Sequence, residues 1–262
     1  MNENTKKTCR ICRSYSYLSK EHVPPKSAFN KGRIKLAGHS FVFDSNELPW
    51  NLENAKGPIM QNGIYFQTIC EKCNHRTNRD YVKAYSYFIK QIGYFLEKNT
   101  LKNKEKYTVP VRNIYPSLII REVLSMFLTI NGDGFSKKQK DFRKAVLNKK
   151  WNNLNPANFK IYIYLSAGEE ILSKYIGLSA VRNIYAEGFK FNIVSEITSF
   201  PVSFVLSLNR EPLANDYLDI TSWIFEYKSD TKKNFDLFLP AYESNIGFPL
   251  DHRSRKEITD NT

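Results

Sequence analysis

The chain has 262 residues, 42% of them hydrophobic and 14% aromatic, which is enough apolar material for one large core or two modest ones and too much for a disordered polymer. Its formal charge of +13 makes a polyanion the natural partner, because neutralising phosphates releases condensed counterions whatever the base sequence. Nothing approaches the roughly 18 uninterrupted apolar residues of a membrane span, and the polar start Met1 to Lys7 lacks the apolar centre of a secretory signal, so a cytoplasmic protein with no membrane partner is expected.

The charge is uneven. Residues 1–100 carry 16 Lys and Arg against 8 Asp and Glu, so the N-terminal part is the better candidate for touching phosphate. First in chain order comes the C-x-x-C pair Cys9/Cys12 in "CRIC", matched after 57 intervening residues by Cys70/Cys73 in "CEKC", with no cysteine left over. Thiolates three positions apart can bite one face of a tetrahedral Zn²⁺, and a second such pair completes a closed four-sulfur site. Disulfides are the main alternative, but a cytosolic chain keeps its thiols reduced. A thioredoxin-like redox motif would need only one pair, at the start of a helix in a βαβ setting. Structural zinc is therefore expected, holding the fold and doing no chemistry itself.

Between the knuckles a β-prone run ends in Glu21-His22-Val23-Pro24-Pro25. Neighbours on a strand point to opposite faces, so the two polar side chains can approach one substrate only where the strand stops, as the prolines indicate. Directly after the second knuckle, Asn74-His75-Arg76-Thr77-Asn78 opens a segment whose Tyr81, Tyr85, Phe88, Ile92 and Phe95 recur at helical spacing. Asn74 and Asn78 then share a face of its first turns. Their amide oxygens with Glu21 would form a hard, oxygen-rich partial sphere of the kind Mg²⁺ or Mn²⁺ accepts. Other readings stay open: Asn74 as a helix N-cap, and His22 as a turn histidine bonded to backbone. His75 projects about 100° away from Asn74, towards solvent or phosphate.

The order C-x-x-C, acidic-His-Val-x-Pro, C-x-x-C-Asn and then a helix resembles the HNH endonucleases, the ββα-metal or His-Me finger group, in their four-cysteine zinc-bound form, over about residues 9–98. The resemblance implies that His22 deprotonates the attacking water and that Glu21 and Asn74 bind the catalytic metal. Asn78 matches a further ligand position used in some members. It also implies an asparagine before the second knuckle that braces the loop and orients the base. Asn62 in "MQNGIYFQTIC" is the candidate, two residues earlier than the commonest spacing, with Asn51 a distant substitute. The path of residues 30–60 is left open. DNA is the expected substrate, cut to 5′-phosphate and 3′-hydroxyl ends; RNA fits the same site, which reads a phosphodiester and not the sugar. Lys26, Lys31, Arg33, Lys35, Arg76 and Arg79 lie close in sequence and would line a phosphate track.

Beyond Lys98 the polar stretch "EKNTLKNKEKY" is taken as the boundary between a nuclease module, residues 1–100, and a second unit, residues 101–262. "PSLIIREVLSMFLTI" is a helix with Pro116 near N1 and with Ile119, Ile120, Val123, Leu124 and Phe127 on one face, stopped by Asn131-Gly132-Asp133-Gly134. Ser136 with Gln139 makes a capping box for the basic helix "KKQKDFRKAVLNKK". Then come alternating, strand-like runs: "FKIYIYLS", "KYIGLSAVRNIY", "FKFNIVSEI", "VSFVLSLN", "SWIFEY" and "FDLFLP". The fold class expected is α+β, a zinc-stabilised ββα-metal module followed by a helix pair and a mainly antiparallel sheet. The second unit would serve substrate selection, homo-oligomerisation or docking to a partner protein. It loosely resembles the C-terminal part of bacterial HNH proteins suspected of antiphage defence, with no residue assignments.

Overall fold

The computed structural model describes residues 6–32, 34–35, 59–167, 174–182, 191–208, 216–243, 256 and 259. The chain begins with β1 (Lys7–Thr8) and β2 (Tyr15–Ser16), an antiparallel ribbon around the first cysteine turn, where Arg13 adopts a φ of 68°. β3 (Leu18–His22) follows directly. β4 (Ile34–Lys35) and β5 (Ile59–Met60) form a second short ribbon. β6 (Tyr65–Cys70) then pairs antiparallel with β3, in register from Leu18↔Cys70 to His22↔Tyr65, with an irregularity between Ser19 and Glu21. Such a bulge re-aims the side chains beyond it. Here Glu21 turns inward, 4% exposed, while His22 stays half-buried at the strand end.

The helix after the second knuckle starts within it. α1 (Glu71–Thr77) has Cys70 at its N-cap, runs through one π-helical turn at Asn78–Val82 and continues as α2 (Lys83–Lys98). Asn74 therefore sits inside the helix and caps nothing. A π turn is rare and recurs at functional sites; here it lies one turn beyond Asn74. Tyr81, Tyr85, Phe88, Ile92 and Leu96 are buried. Gly93 admits a close approach, since a Cβ there would lie 2.6 Å from Phe29 Cζ.

β7 (Lys106–Ile114) is a strand that the sequence reading did not anticipate. Pro110 is tolerated because β7 lies at the edge of its sheet, where a missing N–H breaks no second ladder. α3 (Pro116–Ile130) is buried almost all round, with Pro116 in its first turn and Asn131 ending it as expected. The basic helix is in fact two, α4 (Asp133–Lys138) and α5 (Lys140–Leu147), broken at Gln139 (φ −83°, ψ 60°). No capping box forms, because Ser136 donates its hydroxyl to the Arg10 carbonyl of the first knuckle.

The remaining elements are β8 (Lys160–Ala167), β9 (Lys174–Arg182), β10 (Phe191–Thr198), β11 (Val202–Ser207), β12 (Leu218–Asp219), α6 (Trp223–Glu226) and β13 (Lys233–Glu243). A seven-stranded sheet runs β7-β13-β8-β11-β10-β9, with β12 also on β8, antiparallel except where β13 meets β8. "SWIFEY" is the helical turn α6 and no strand. Trp223 and Ile224 are both buried in one apolar cluster, which neighbours on a half-covered strand could not share. Trp223 stacks on Phe235 and meets Phe88 edge-on.

The architecture is α+β. One apolar cluster contains Ile11, Val23, Phe29 and Ile69 together with Phe88, Ile120, Phe127, Leu165, Phe204 and Leu239, so residues on both sides of position 100 build the same core. No helix among the described residues is long and apolar enough to cross a membrane.

Arg121 is among the largest fully buried side chains of the described residues, 1% exposed. Its guanidinium donates to the carbonyls of Ala145 (2.6 Å), Asn148 (3.3 Å) and Trp151 (2.7 Å), satisfying the C-terminal end of α5 and the turn beyond it. Charge-assisted bonds of this kind contribute about 1.5–3 kcal/mol each, so Arg121→Met is expected to destabilise the fold by on the order of 3 kcal/mol, read as a lowered urea midpoint at unchanged slope.

Candidate functional site

The two knuckles converge. The Sγ atoms of Cys9, Cys12, Cys70 and Cys73 all lie within 4.8 Å of one another, with 3.7 Å between those of Cys12 and Cys70, and none is in a disulfide. Tetrahedral bonds of about 2.3 Å would place sulfurs about 3.8 Å apart, so the set can hold one metal ion. A hydrogen bond from Cys73 pulls the Cys9 thiol down to about 4, and the same contact pushes Cys73 up. Two arginines tie this turn to the rest of the fold. Arg10 donates to the Thr129 carbonyl (2.5 Å), and Arg13 forms a two-pronged pair with Asp133 (2.5 and 2.9 Å).

Beside it lies a cleft of about 240 Å³ lined by Lys20, Glu21, His22, Lys26, Ser27, Asn74 and Asn78, among others. His22 enters from the end of β3. Its Nε2 is 3.0 Å from the Asn62 carbonyl oxygen, which can only accept, so Nε2 carries the proton and Nδ1 is the basic nitrogen. The histidine is thus bonded to backbone, but through one nitrogen alone. Burial lowers its pKa, and so does the charge of Lys26, which favours the neutral ring a base requires.

Glu21 has no hydrogen-bond or ion-pair partner among the described residues, and burial pushes its carboxyl up to about 8. The Asn74 amide nitrogen donates to Ser19 Oγ (3.1 Å) and the Lys20 carbonyl (2.8 Å), anchoring α1 to β3. With its nitrogen so committed, Asn74 presents Oδ1 towards Asn78, whose own amide nitrogen donates to it (2.5 Å) and to the Asn74 carbonyl (3.0 Å). An unpartnered buried carboxyl and two oriented amides on one cleft fit a hard divalent cation.

The loop beside His22 is clasped by a side chain other than that of Asn62. Asn62 contributes its main-chain carbonyl, whereas the side chain that clasps the loop is Asn30, which is 4% exposed. Asn30 Nδ2 donates to the carbonyls of Pro24 (2.6 Å) and Ile64 (2.8 Å), and its Oδ1 accepts from the Ile64 N–H (2.7 Å). Gly63, at φ 79°, closes the clasp; a Cβ there would fall 2.2 Å from the Asn30 carbonyl oxygen. Asn30→Ala is expected to cost about 2–4 kcal/mol, because three bonds go and buried backbone groups are left unpaired, a loss that guanidinium unfolding would register. No motif spacing marks Asn30.

The cations divide. Lys26 lines the cleft, and so does Lys20, which motif spacing did not single out and whose Nζ lies 4.6 Å from the centre of the Tyr65 ring. Lys31 is half-buried. Arg33, the side chain of Lys35 and Asn51 lie outside the described residues. Arg76 donates to the Leu147 carbonyl (2.9 Å), and Arg79 is paired with Asp80 through two bonds of 2.8 and 2.9 Å, so both are engaged within the fold. His75 is exposed beside Glu71 at 3.4 Å. On the far side of Asn74 and Asn78 the surface continues into a groove of about 510 Å³ with Tyr17, Ser19, Glu71 and His75.

No protein-family model matches the chain, and neither a curated protein nor a solved structure matches it.

Proposed function

We propose that the chain is a metal-dependent nuclease that hydrolyses nucleic-acid phosphodiesters, with His22 as general base. The observation that carries this reading is one cleft holding a histidine with a free basic nitrogen, an unpartnered buried carboxyl, two oriented amides and two lysines. It agrees with the HNH resemblance of the motifs. The four cysteines hold structural zinc. Glu21 and Asn74, with Asn78, hold Mg²⁺ or Mn²⁺; when bound, that ion offsets charge on the phosphate and on the leaving oxygen.

The protein's own groups do the rest. Lys20 and Lys26 attract and hold the phosphate. The Asn62 carbonyl keeps the imidazole in one tautomer and orientation. His22 Nδ1 takes one proton from water as the water oxygen bonds to phosphorus and the bond from phosphorus to O3′ breaks. The 3′ oxygen leaves as a hydroxyl after taking a proton from solvent, and the phosphate stays on the 5′ side.

The test is incubation of the zinc-loaded protein with labelled duplex DNA and with RNA in Mg²⁺ or Mn²⁺. Cleavage to 5′-phosphate ends that disappears in His22→Ala supports the proposal. Salt-sensitive binding without cleavage by the wild type would make the chain a binding module instead.

A further inference from the structure

The inner face of α2 belongs to the core, and its outer face has a composition of its own. The exposed residues of this helix are Lys83, Tyr87, Lys90, Tyr94, Glu97 and Lys98. Steps of four, three and four set the first four of them in one line, lysine and tyrosine alternating over about 16 Å at 1.5 Å per residue. Tyr87 is 48% exposed and Tyr94 58%. A scattered surface aromatic calls for no explanation. Two in line, each between lysines, do. None of these three lysines has an ion-pair partner among the described residues, so their charge is turned to solvent. Lys98 Nζ lies 4.1 Å from the centre of the Tyr94 ring, which leaves the other ring face to a partner.

The stripe begins where the cleft ends. Val82, the last residue of the π turn, lines the cleft together with Asn74 and Asn78, and Lys83 is the next residue. Five α-helical positions would set Lys83 about 140° round from Asn78, whereas the extra residue that a π turn absorbs leaves about 40°. Asn78 and the stripe therefore share one side of the helix. Towards the start of α1, the groove that also contains Asn74 and Asn78 holds Tyr17, 53% exposed, with Lys6 Nζ 5.5 Å from its ring centre. Tyrosine beside lysine thus recurs on both sides of the two asparagines.

We infer that the outer face of α2 is a track for single-stranded nucleic acid leading into the cleft, with bases stacked on Tyr87 and Tyr94 and phosphates held by Lys83, Lys90 and Lys98. Every base has a π face, so such a track tolerates any sequence. A duplex keeps its bases stacked on one another and can use the lysines alone. Three lysines against Glu97 favour a polyanion, and the interleaved rings favour one with unpaired bases. The inference deepens the proposed function by naming the substrate as an unpaired strand, and it rests on the cleft being a nucleic-acid site.

The experiment is fluorescence anisotropy of labelled oligo-dT, oligo-U and a duplex of equal length with the zinc-loaded full chain, without Mg²⁺ and over a range of salt, beside urea midpoints that check folding. The double variant Tyr87→Ala/Tyr94→Ala is expected to weaken single-strand binding at least about 20-fold and duplex binding less than about threefold. Tyr87→Phe/Tyr94→Phe keeps both rings and is expected to stay within about threefold of wild type. Lys83→Gln/Lys90→Gln is expected to flatten the slope of log affinity against log salt by about 1.4 for single strands. A preference for oligo-dT or for oligo-U names the strand as DNA or RNA. Unchanged single-strand affinity in the alanine variant overturns the inference, as does an equal loss on the duplex, a loss as large in the phenylalanine variant, or a wild type that binds neither oligonucleotide. Cleavage does not enter the readout. A chain that cleaves while its alanine variant binds like wild type loses this inference and keeps the nuclease reading, and one that binds through the stripe without cleaving does the reverse.

Discussion

Replacing His22 with alanine is expected to slow cleavage by about 10²- to 10⁴-fold, the range a positioned general base supplies, while leaving affinity for uncleaved nucleic acid unchanged. The separation follows from the geometry. The ring is half-buried at the end of β3, bonded through Nε2 to the Asn62 carbonyl (3.0 Å) and tilted against the Tyr65 ring (5.8 Å between centres), so its removal takes away no phosphate-binding cation. His22→Gln is expected to be as slow, since an amide can donate to that carbonyl yet cannot accept a proton from water near neutral pH. Single-turnover rates in Mg²⁺, set beside binding measured in Ca²⁺, separate the two quantities. A His22→Ala chain that cuts at the wild-type rate would remove the imidazole from the mechanism.

If the four cysteines hold zinc as proposed, loss of that ion is expected to have the largest effect on the fold. Structural zinc binds with an apparent free energy of roughly 10–16 kcal/mol near neutral pH, comparable with the whole stability of an ordinary domain at about 5–15 kcal/mol. Cys73→Ser is therefore expected to abolish the cooperative thermal transition, not merely to lower it. The damage would spread, because Cys9, Ile11 and Cys73 belong to the central apolar cluster and Arg10 and Arg13 join the turn to α3 and α4. Circular dichroism on heating, with zinc released by a thiol reagent and counted per chain, gives the measurement. A Cys73→Ser chain that melts like the wild type would show that the thiols hold no ion important to the fold.

What was legible in the sequence had a period or a spacing. α2 and α3 announce themselves through apolar stripes, and β8, β10, β11 and β13 through runs of apolar residues. β7 did not, since it lies at the sheet edge and buries only Val109, Val111 and Ile114, with Pro110 between them. Ser136 has the local chemistry of a helix cap, but a carbonyl from the first knuckle, far away in sequence, takes its hydroxyl. The same contrast holds in the cleft. Glu21 and His22 are adjacent, and Asn74 and Asn78 are one turn apart, so their proximity is written in the chain. Asn30 and Arg121 matter through partners that only the folded state brings near. "AFNKG" and "IIREVL" look like a turn and a break in an apolar stripe. Arg76 and Arg79 lie beside the motif in sequence, and the fold gives them the Leu147 carbonyl and Asp80 as partners.

The edge-to-face contact of Phe29 with Phe200, 4.9 Å between ring centres, joins the residue next to Asn30 to the turn between β10 and β11. Gly93 leaves room for that meeting. The loop that Asn30 clasps beside His22 is thereby seated on the large sheet, and the setting of the cleft depends in part on side chains that do not line it. Exchanging the sheet for another, however well it folded, would be a way of regrinding the cleft.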